Sequence, residues 1–180
     1  MRKDIEKIIA IENGVSVSIE GEKVTVKADG KELVRRFDIP NIEMKVDGSS
    51  IKLSAKKATK RELKTLGTLS AHIKNMIKGV KEDFVYELEI CNVHFPMSVK
   101  SENDKIIIKS FLGETTQRIA KIVPGAKVDI SGSKITVSAS DREVAGQTAA
   151  NLEKATRLTG RDRRVFQDGI YITSKCGKAI

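Results

Sequence analysis

The sequence predicts an α+β fold in which two tandem copies of one domain each form an antiparallel sheet covered on one face by one helix. Residues 15–27 (VSVSIEGEKVTVK) recur at 97–109 (MSVKSENDKIIIK), and apolar residues alternate along both segments. Within these segments Val24 and Ile106, for example, lie 82 positions apart. In both copies the alternation is followed, at nearly the same offset, by a change to helical periodicity. We therefore expect an internal duplication with domains at residues 1–82 and 83–180.

Alternating apolar residues predict hairpins in the first part of each copy. In the first copy, residues 15–19 and 24–26 alternate on either side of the turn 20–22, and further apolar stretches at 33–39, 44–46 and 51–53 predict more strands. The turns at Asp47–Ser50 and Ser131–Ser133 each contain the glycine that a tight hairpin requires. The sequence SGSK at 131–134 could be mistaken for a phosphate-binding loop, but no helix follows it, which favours the turn.

One helix closes each copy. Thr59 and Ser140 are the expected N-caps, each with a glutamate three residues later (Glu62 and Glu143), which predicts two capping boxes. Gly79 and Gly160 are the expected helix ends. The first helix should bury an apolar stripe formed by Leu63, Leu66, Ser70, Ile73, Ile77 and Val80. The second has a core side of mostly small residues, formed by Val144, Thr148, Leu152 and Ala155.

Charge indicates a polyanionic partner. The chain has 33 Lys and Arg residues against 24 Asp and Glu residues, a net charge of +9, and both copies carry an excess of basic residues. The alternative is a basic protein whose charge serves only solubility. No apolar stretch has the length of a signal peptide or a membrane span, so we expect a cytoplasmic protein with no membrane partner.

Catalytic and metal-binding patterns are absent from the sequence. Cys91 and Cys176 lack zinc or disulfide spacing, and His72 and His94 have no carboxylate or thiol at ligand spacing. No nucleophile motif, Walker loop or dinucleotide-binding loop occurs. Asp162 and Asp168 lie near arginines in the sequence and are expected to pair with them. We therefore expect a protein that is not an enzyme, with no metal, no cofactor and no small-molecule substrate.

Binding chemistry concentrates near the end of the second copy. The candidate RNA-binding residues are Lys154, Arg157, Arg161, Arg163, Arg164, Gln167, Tyr171, Lys175 and Lys178. Arginine guanidinium groups match phosphate oxygens in pairs, and an aromatic ring such as Phe166 can stack on an unpaired base. The alternative is a solvated charge run with Phe166 packed in the core and Tyr171 in an edge strand.

A secondary basic patch surrounds the start of the first helix. It consists of Lys56, Lys57, Lys60, Arg61 and Lys64. Free backbone amides at a helix start favour phosphate binding, but solubility explains these lysines equally well.

Three stretches carry a resemblance to a known family: residues 14–37, LGTLSAHIKNMIKGV at 66–80, and GRDRRVFQDGIYITSK at 160–175. Over nearly its whole length the chain resembles the universal large-subunit ribosomal protein L-six family, in its archaeal and eukaryotic form. The family usually has a proline before the glycine of the first strand, where this chain has Glu12 and Asn13, and a Gly-Pro turn, where this chain has Ala28–Gly30.

The resemblance implies a structural constituent of the large ribosomal subunit that supports translation. It implies two α+β domains and binding of large-subunit rRNA near the sarcin–ricin loop and the factor-binding region at the stalk base, chiefly through the second domain. By position, the RNA contact falls on residues 157–178. The implied partners are large-subunit rRNA, neighbouring large-subunit proteins at the stalk base, and translation factors nearby, on the cytoplasmic ribosome. The alternative is a duplicated, non-enzymatic protein-binding scaffold with an acidic partner.

Overall fold

The chain divides into two units, Met1–Glu82 and Asp83–Ile180, in a computed structural model that describes residues 3–28 and 30–180. In the described residues each unit has two antiparallel sheets and one α-helix, an α+β architecture, and the second unit also has a short 3-10 helix at Phe111–Gly113. The predicted turn at Ala28–Gly30 includes Asp29, which lies outside the described residues.

The first unit contains two sheets of three strands. Its elements are β1 (Lys3–Ala10), β2 (Ser16–Glu20), β3 (Lys23–Ala28), β4 (Lys31–Arg36), β5 (Glu43–Asp47), β6 (Ser50–Ala58) and α1 (Lys60–Lys81). The strand orders are β1-β6-β5 and β2-β3-β4. Gly21 and Gly48 have φ angles of 61° and 55° in the turns β2–β3 and β5–β6, so the two predicted hairpins are confirmed.

Helix α1 buries one stripe against both sheets. Leu66, Ser70, Ile73, Ile77 and Val80 are buried as predicted, together with Leu69 and Met76. Leu63 was expected in the same stripe, but it is 51% exposed because it lies in the first turn of α1, beyond the packed face. The stripe packs on apolar residues of β3 and β6, including Val24, Val26 and Leu53.

The start of α1 is as predicted, and its end is not. Thr59 Oγ1 accepts the backbone N–H of Arg61 (3.3 Å) and the Glu62 carboxylate accepts the backbone N–H of Thr59 (2.8 Å), which confirms the capping box. Gly79 does not end the helix, which continues to Lys81. Burial of Val80 on the helix face explains why the helix continues for two residues past Gly79.

The second unit repeats the first and extends it. Its elements are β7 (Phe84–Cys91), β8 (Ser98–Glu102), β9 (Lys105–Lys109), β10 (Arg118–Lys121), β11 (Lys127–Ser131), β12 (Lys134–Ala139), α2 (Arg142–Ala155), β13 (Gly169–Lys175) and β14 (Lys178–Ala179). The orders β7-β12-β11 and β8-β9-β10 match those of the first unit, and β13 and β14 are added beside β7. Gly132 (φ 59°) lies in the β11–β12 turn, so SGSK is a hairpin turn as predicted.

Both predicted ends of α2 are wrong. The N-cap is Asp141 and not Ser140: the Asp141 carboxylate accepts the backbone N–H of Glu143 at 2.9 Å, and its negative charge suits the positive helix end. The helix ends at Ala155, five residues before Gly160, whose φ of 71° lies in the loop that follows. Across the described residues, neither α1 nor α2 combines the length and apolarity of a membrane-spanning helix.

Candidate nucleic-acid interface

A buried threonine fixes both ends of the loop that carries the predicted arginines. The loop runs from the end of α2 to the start of β13. Thr156 Oγ1 accepts the backbone N–H of Ile170 at 2.9 Å and donates to the Glu153 carbonyl at 3.3 Å. Helix and strand are therefore tied together at the base of the loop. A single threonine after a helix gives no sequence signal for this role.

Four of the nine predicted residues meet in one cleft of 280 Å³. The walls of the cleft are Glu153, Lys154, Thr156, Arg157, Leu158, Arg163 and Tyr171. Lys154, Arg157 and Arg163 are exposed, so three cations from two parts of the chain converge around one half-buried aromatic ring. We call this feature the basic cleft. Its chemistry suits a phosphate group with an adjoining ribose or base.

The remaining arginines of the loop are held by neighbours within it. Arg164 pairs with Asp162, with 2.8 Å between Nη2 and Oδ2. The hydrogen bonds of that pair lower the pKa of Asp162 and raise that of Arg164. The Arg161 guanidinium lies 4.8 Å from the centre of the Phe166 ring. Gln167 donates to the Arg164 carbonyl at 3.5 Å. Only the pairing of Asp162 with an arginine was predicted.

Lys175 and Lys178 lie on the β13–β14 hairpin and not in the basic cleft. The register places them directly opposite each other, and both are exposed. Like charges at facing strand positions repel, so this pair destabilises the hairpin unless an anion lies nearby. Lys175 lies about 13 Å along β13 from Tyr171, because it is four positions further along the strand.

Arg118 binds the backbone beside the basic cleft, a role that the sequence did not predict. Its Nη1 donates to the carbonyl of Ala155 (3.0 Å), which α2 leaves without a helical partner, and to the carbonyl of Arg157 (3.3 Å) in the loop that follows. Its other nitrogens bind the two carboxylate oxygens of Glu114 at 2.6 and 2.8 Å, and its guanidinium lies 4.2 Å from the centre of the Phe111 ring. Arg118 therefore offsets the negative end of α2 beside a site proposed for anions.

Asp168 binds a histidine and not an arginine. Its side chain is buried, and Oδ2 lies 2.6 Å from Nδ1 of His94 while Oδ1 accepts the His94 backbone N–H at 2.9 Å. Burial opposes ionisation of this carboxyl, but the hydrogen bonds from His94 and from the Val93 backbone outweigh it and lower the pKa of Asp168. The expected arginine pairing is therefore wrong. The 74-residue separation hides the contact from sequence spacing.

Comparison with known proteins identifies the family. The family model described as "Ribosomal protein L6" matches this chain twice, at residues 11–83 and 95–169. The chain belongs to the ribosomal protein L6 family. The double match confirms the internal duplication, and a protein of this family is structural and not an enzyme.

Archaeal relatives of the L6 family cover nearly the whole chain. "Large ribosomal subunit protein uL6" of Methanococcus vannielii is 43% identical over 98% of this chain and 97% of its own length. The proteins of the same name from Methanobrevibacter smithii and Methanocella arvoryzae are each 44% identical. They cover 95% and 94% of this chain, and 96% and 98% of their own lengths. The predicted family, in its archaeal and eukaryotic form, is confirmed.

The secondary basic patch of this L6-family chain has more carboxylates among its neighbours than the basic cleft, whose walls include Glu153. Lys56, Lys57, Lys60, Arg61 and Lys64 are all exposed. Carboxylates accompany them: Glu43 shares a depression with Lys56, and Asp38 and Glu62 share another with Arg61. The Thr59 capping box already uses amides at the start of α1. An incoming phosphate would therefore meet negative charge and fewer free amide donors at this patch.

The described part of this L6-family chain offers little for thiol or metal chemistry. Burial raises the pKa of the Cys91 thiol, and the Glu89 and Asp168 carboxylates add to this effect, so the reactive thiolate is disfavoured. Within residues 3–28 and 30–180, no three His, Cys, Asp or Glu side chains are grouped so that they could hold a metal ion.

Proposed function

We propose that this protein is a structural constituent of the large ribosomal subunit that binds large-subunit rRNA chiefly through its second unit, at the basic cleft and the loop beside it. The observation that carries the proposal is the convergence of Lys154, Arg157 and Arg163 around Tyr171 in one cleft. These groups supply phosphate contacts and one aromatic surface in the same place.

The charge of the surrounding segment supports a polyanionic ligand. Residues 157–178 contain six Lys or Arg residues and two Asp residues. Asp168 is buried against His94, and Asp162 pairs with Arg164, so neither carboxylate presents an unpaired negative charge to the ligand. Phosphate contacts of this kind provide most of the affinity of RNA-binding surfaces, while bases and shape provide the specificity.

We further propose where this protein lies on the ribosome. The resemblance to the L6 family supports a position near the sarcin–ricin loop and the factor-binding region at the stalk base, beside other large-subunit proteins and close to bound translation factors. The addition of β13 and β14 to the second unit supports a division of labour between domains 1–82 and 83–180, with the RNA site in the second.

A pair of triple variants tests the proposal. Arg161, Arg163 and Arg164 are replaced together by alanine in one protein, and Lys56, Lys57 and Lys60 in another, so that each loses three positive charges. Binding to an rRNA transcript containing the sarcin–ricin loop and stalk base is measured over a salt series. If four cations neutralise phosphates, the slope of log affinity against log salt is about −3. We expect the arginine variant to flatten that slope and the lysine variant to change it much less.

Equal losses from the two triple variants would contradict the proposal, provided that circular dichroism shows both to be folded. The choice between RNA and an acidic protein partner rests on a second comparison. A site built for RNA prefers the structured transcript to heparin at the same salt concentration, whereas a scaffold that recognises only negative charge binds both equally.

A further inference from the structure

Four side chains form a continuous series of contacts from the interior of the second unit to the proposed RNA-binding surface. Asp168 holds His94 through the 2.6 Å contact at Nδ1. The His94 ring stacks on the Phe166 ring, with 5.0 Å between centroids and 30° between planes. The Phe166 ring in turn lies under the Arg161 guanidinium at 4.8 Å. Only Arg161 of the four is one of the candidate RNA-binding residues that the sequence predicts.

The inner end of the series is rigid. Asp168 is 2% exposed and directly precedes β13, whose first residue, Gly169, pairs with Cys91 at the end of β7. His94 belongs to the connection that follows β7, and Asp168 accepts its backbone N–H at 2.9 Å and contacts its ring at 2.6 Å. The connection after β7 and the loop before β13 are therefore joined by hydrogen bonds to one buried carboxylate.

The outer end is a long, flexible side chain. A free arginine samples many rotamers, and binding a phosphate must restrict them. The Phe166 contact restricts Arg161 before RNA arrives, which reduces the entropy lost on binding. Phe166 is half-buried, and its ring already contacts His94 and Arg161, so the structure supports contact with Arg161 and not base stacking by a free ring.

We propose that Asp168, His94 and Phe166 are positioning residues that hold Arg161 in the conformation in which it binds rRNA phosphate. This inference rests on the proposed function. It adds three residues to the site, Asp168, His94 and Phe166, that act on Arg161 and not on the RNA itself. The loss of His94 or Phe166 then weakens RNA binding only while Arg161 is present.

A double-mutant cycle on the full chain tests this dependence. His94→Ala is made in the natural protein and in Arg161→Ala, and affinity for the sarcin–ricin and stalk-base transcript is measured at one fixed salt concentration. We expect His94→Ala to weaken binding about fivefold in the natural protein and less than about twofold in Arg161→Ala. Val93→Ala is the matched control: it alters a 70% exposed side chain of the same connection and keeps the backbone N–H.

A second double-mutant cycle, with Phe166→Leu, keeps the inference testable if His94→Ala does not fold. Phe166→Leu leaves the contact between Asp168 and His94 intact and removes only the stacked ring. It should reproduce the pattern, with about fivefold weaker binding when Arg161 is present and less than about twofold when it is absent. Thermal melts establish that each variant is folded at the assay temperature.

The outcomes separate this inference from the proposed function. Equal losses in both backgrounds, in either folded cycle, would overturn the positioning role, because His94 or Phe166 would then act by touching RNA or by general stability. If Arg161→Ala alone leaves the affinity unchanged, Arg161 does not bind phosphate. The positioning role, which depends on that contact, is then also refuted.

Discussion

Arg163 and Arg164 are sequence neighbours, and the structure predicts that they contribute unequally to RNA binding. Arg163 lines the basic cleft, and its side chain has no hydrogen bond or ion pair among residues 3–28 and 30–180. Arg164 makes three side-chain hydrogen bonds to the Asp162 carboxylate, at 2.8, 3.2 and 3.2 Å. Arg164 must therefore exchange an existing partner for a phosphate, while Arg163 has none to lose.

The expected sizes follow from the chemistry of one phosphate contact. Loss of one neutralised phosphate reduces the salt slope by about 0.7–0.9. Loss of a charge-assisted hydrogen bond weakens binding about tenfold. Arg163→Ala should show both effects in full. Arg164→Ala should weaken binding only about twofold to threefold, through long-range attraction alone. Each variant removes one positive charge, so each is the control for the other.

Fluorescence anisotropy with a labelled sarcin–ricin and stalk-base transcript, from about 50 to 400 mM salt, measures both quantities. Circular dichroism of the two variants should superpose on that of the natural protein, because both side chains are exposed. A loss for Arg164→Ala that equals or exceeds the loss for Arg163→Ala would refute the assignment of Arg163 to the cleft and Arg164 to Asp162.

Three predictions concern stability. Because the folded state lowers the pKa of Asp168, its contribution is present above its ordinary value near 4 and is lost as the pH falls through the folded-state value. Asp168→Asn should therefore flatten the acid side of the stability curve and cost about 1–3 kcal/mol at neutral pH, measured by urea unfolding from about pH 2 to pH 7. Arg118→Ala should destabilise the second unit by about 1.5–3 kcal/mol, seen as a lower urea midpoint; an unchanged midpoint would exclude its capping role. Asp141→Ala should cost about 1 kcal/mol and Ser140→Ala less than about 0.5 kcal/mol; the reverse order in thermal melts would restore Ser140 as the N-cap.

The fold could be predicted because its signals are local and repeated. Alternating valines and isoleucines, the glycine turns at Gly21, Gly48 and Gly132, and the Thr59 capping box all depend on residues a few positions apart. The hairpin signals recur in both copies, which reduces chance matches, whereas the capping box forms at Thr59 and not at Ser140. Helix ends were less predictable, because Val80 burial and the Thr156 bonds to Glu153 and Ile170 override the glycines at 79 and 160.

The sequence predicts the basic residues of the candidate site, but it does not predict how they are arranged. Charge density located the segment, whereas the cleft depends on Tyr171 of β13 meeting Lys154 of α2. The supports of the site come from distant positions: His94 lies 74 residues before Asp168, and Arg118 lies 37 residues before Ala155. Neither has a spacing pattern in the sequence, since only tertiary packing brings these pairs together.

The central claim is that large-subunit rRNA lies against the basic cleft and its loop. Ultraviolet cross-linking of intact large subunits purified through a high-salt wash, followed by mass spectrometry of the RNA-linked peptides of this protein, tests it in the assembled particle. We predict cross-links on peptides within residues 154–178, with Tyr171 or its neighbours carrying nucleotides of the sarcin–ricin or stalk-base region. Cross-links confined to the first unit, around Lys56–Lys64, would contradict the claim.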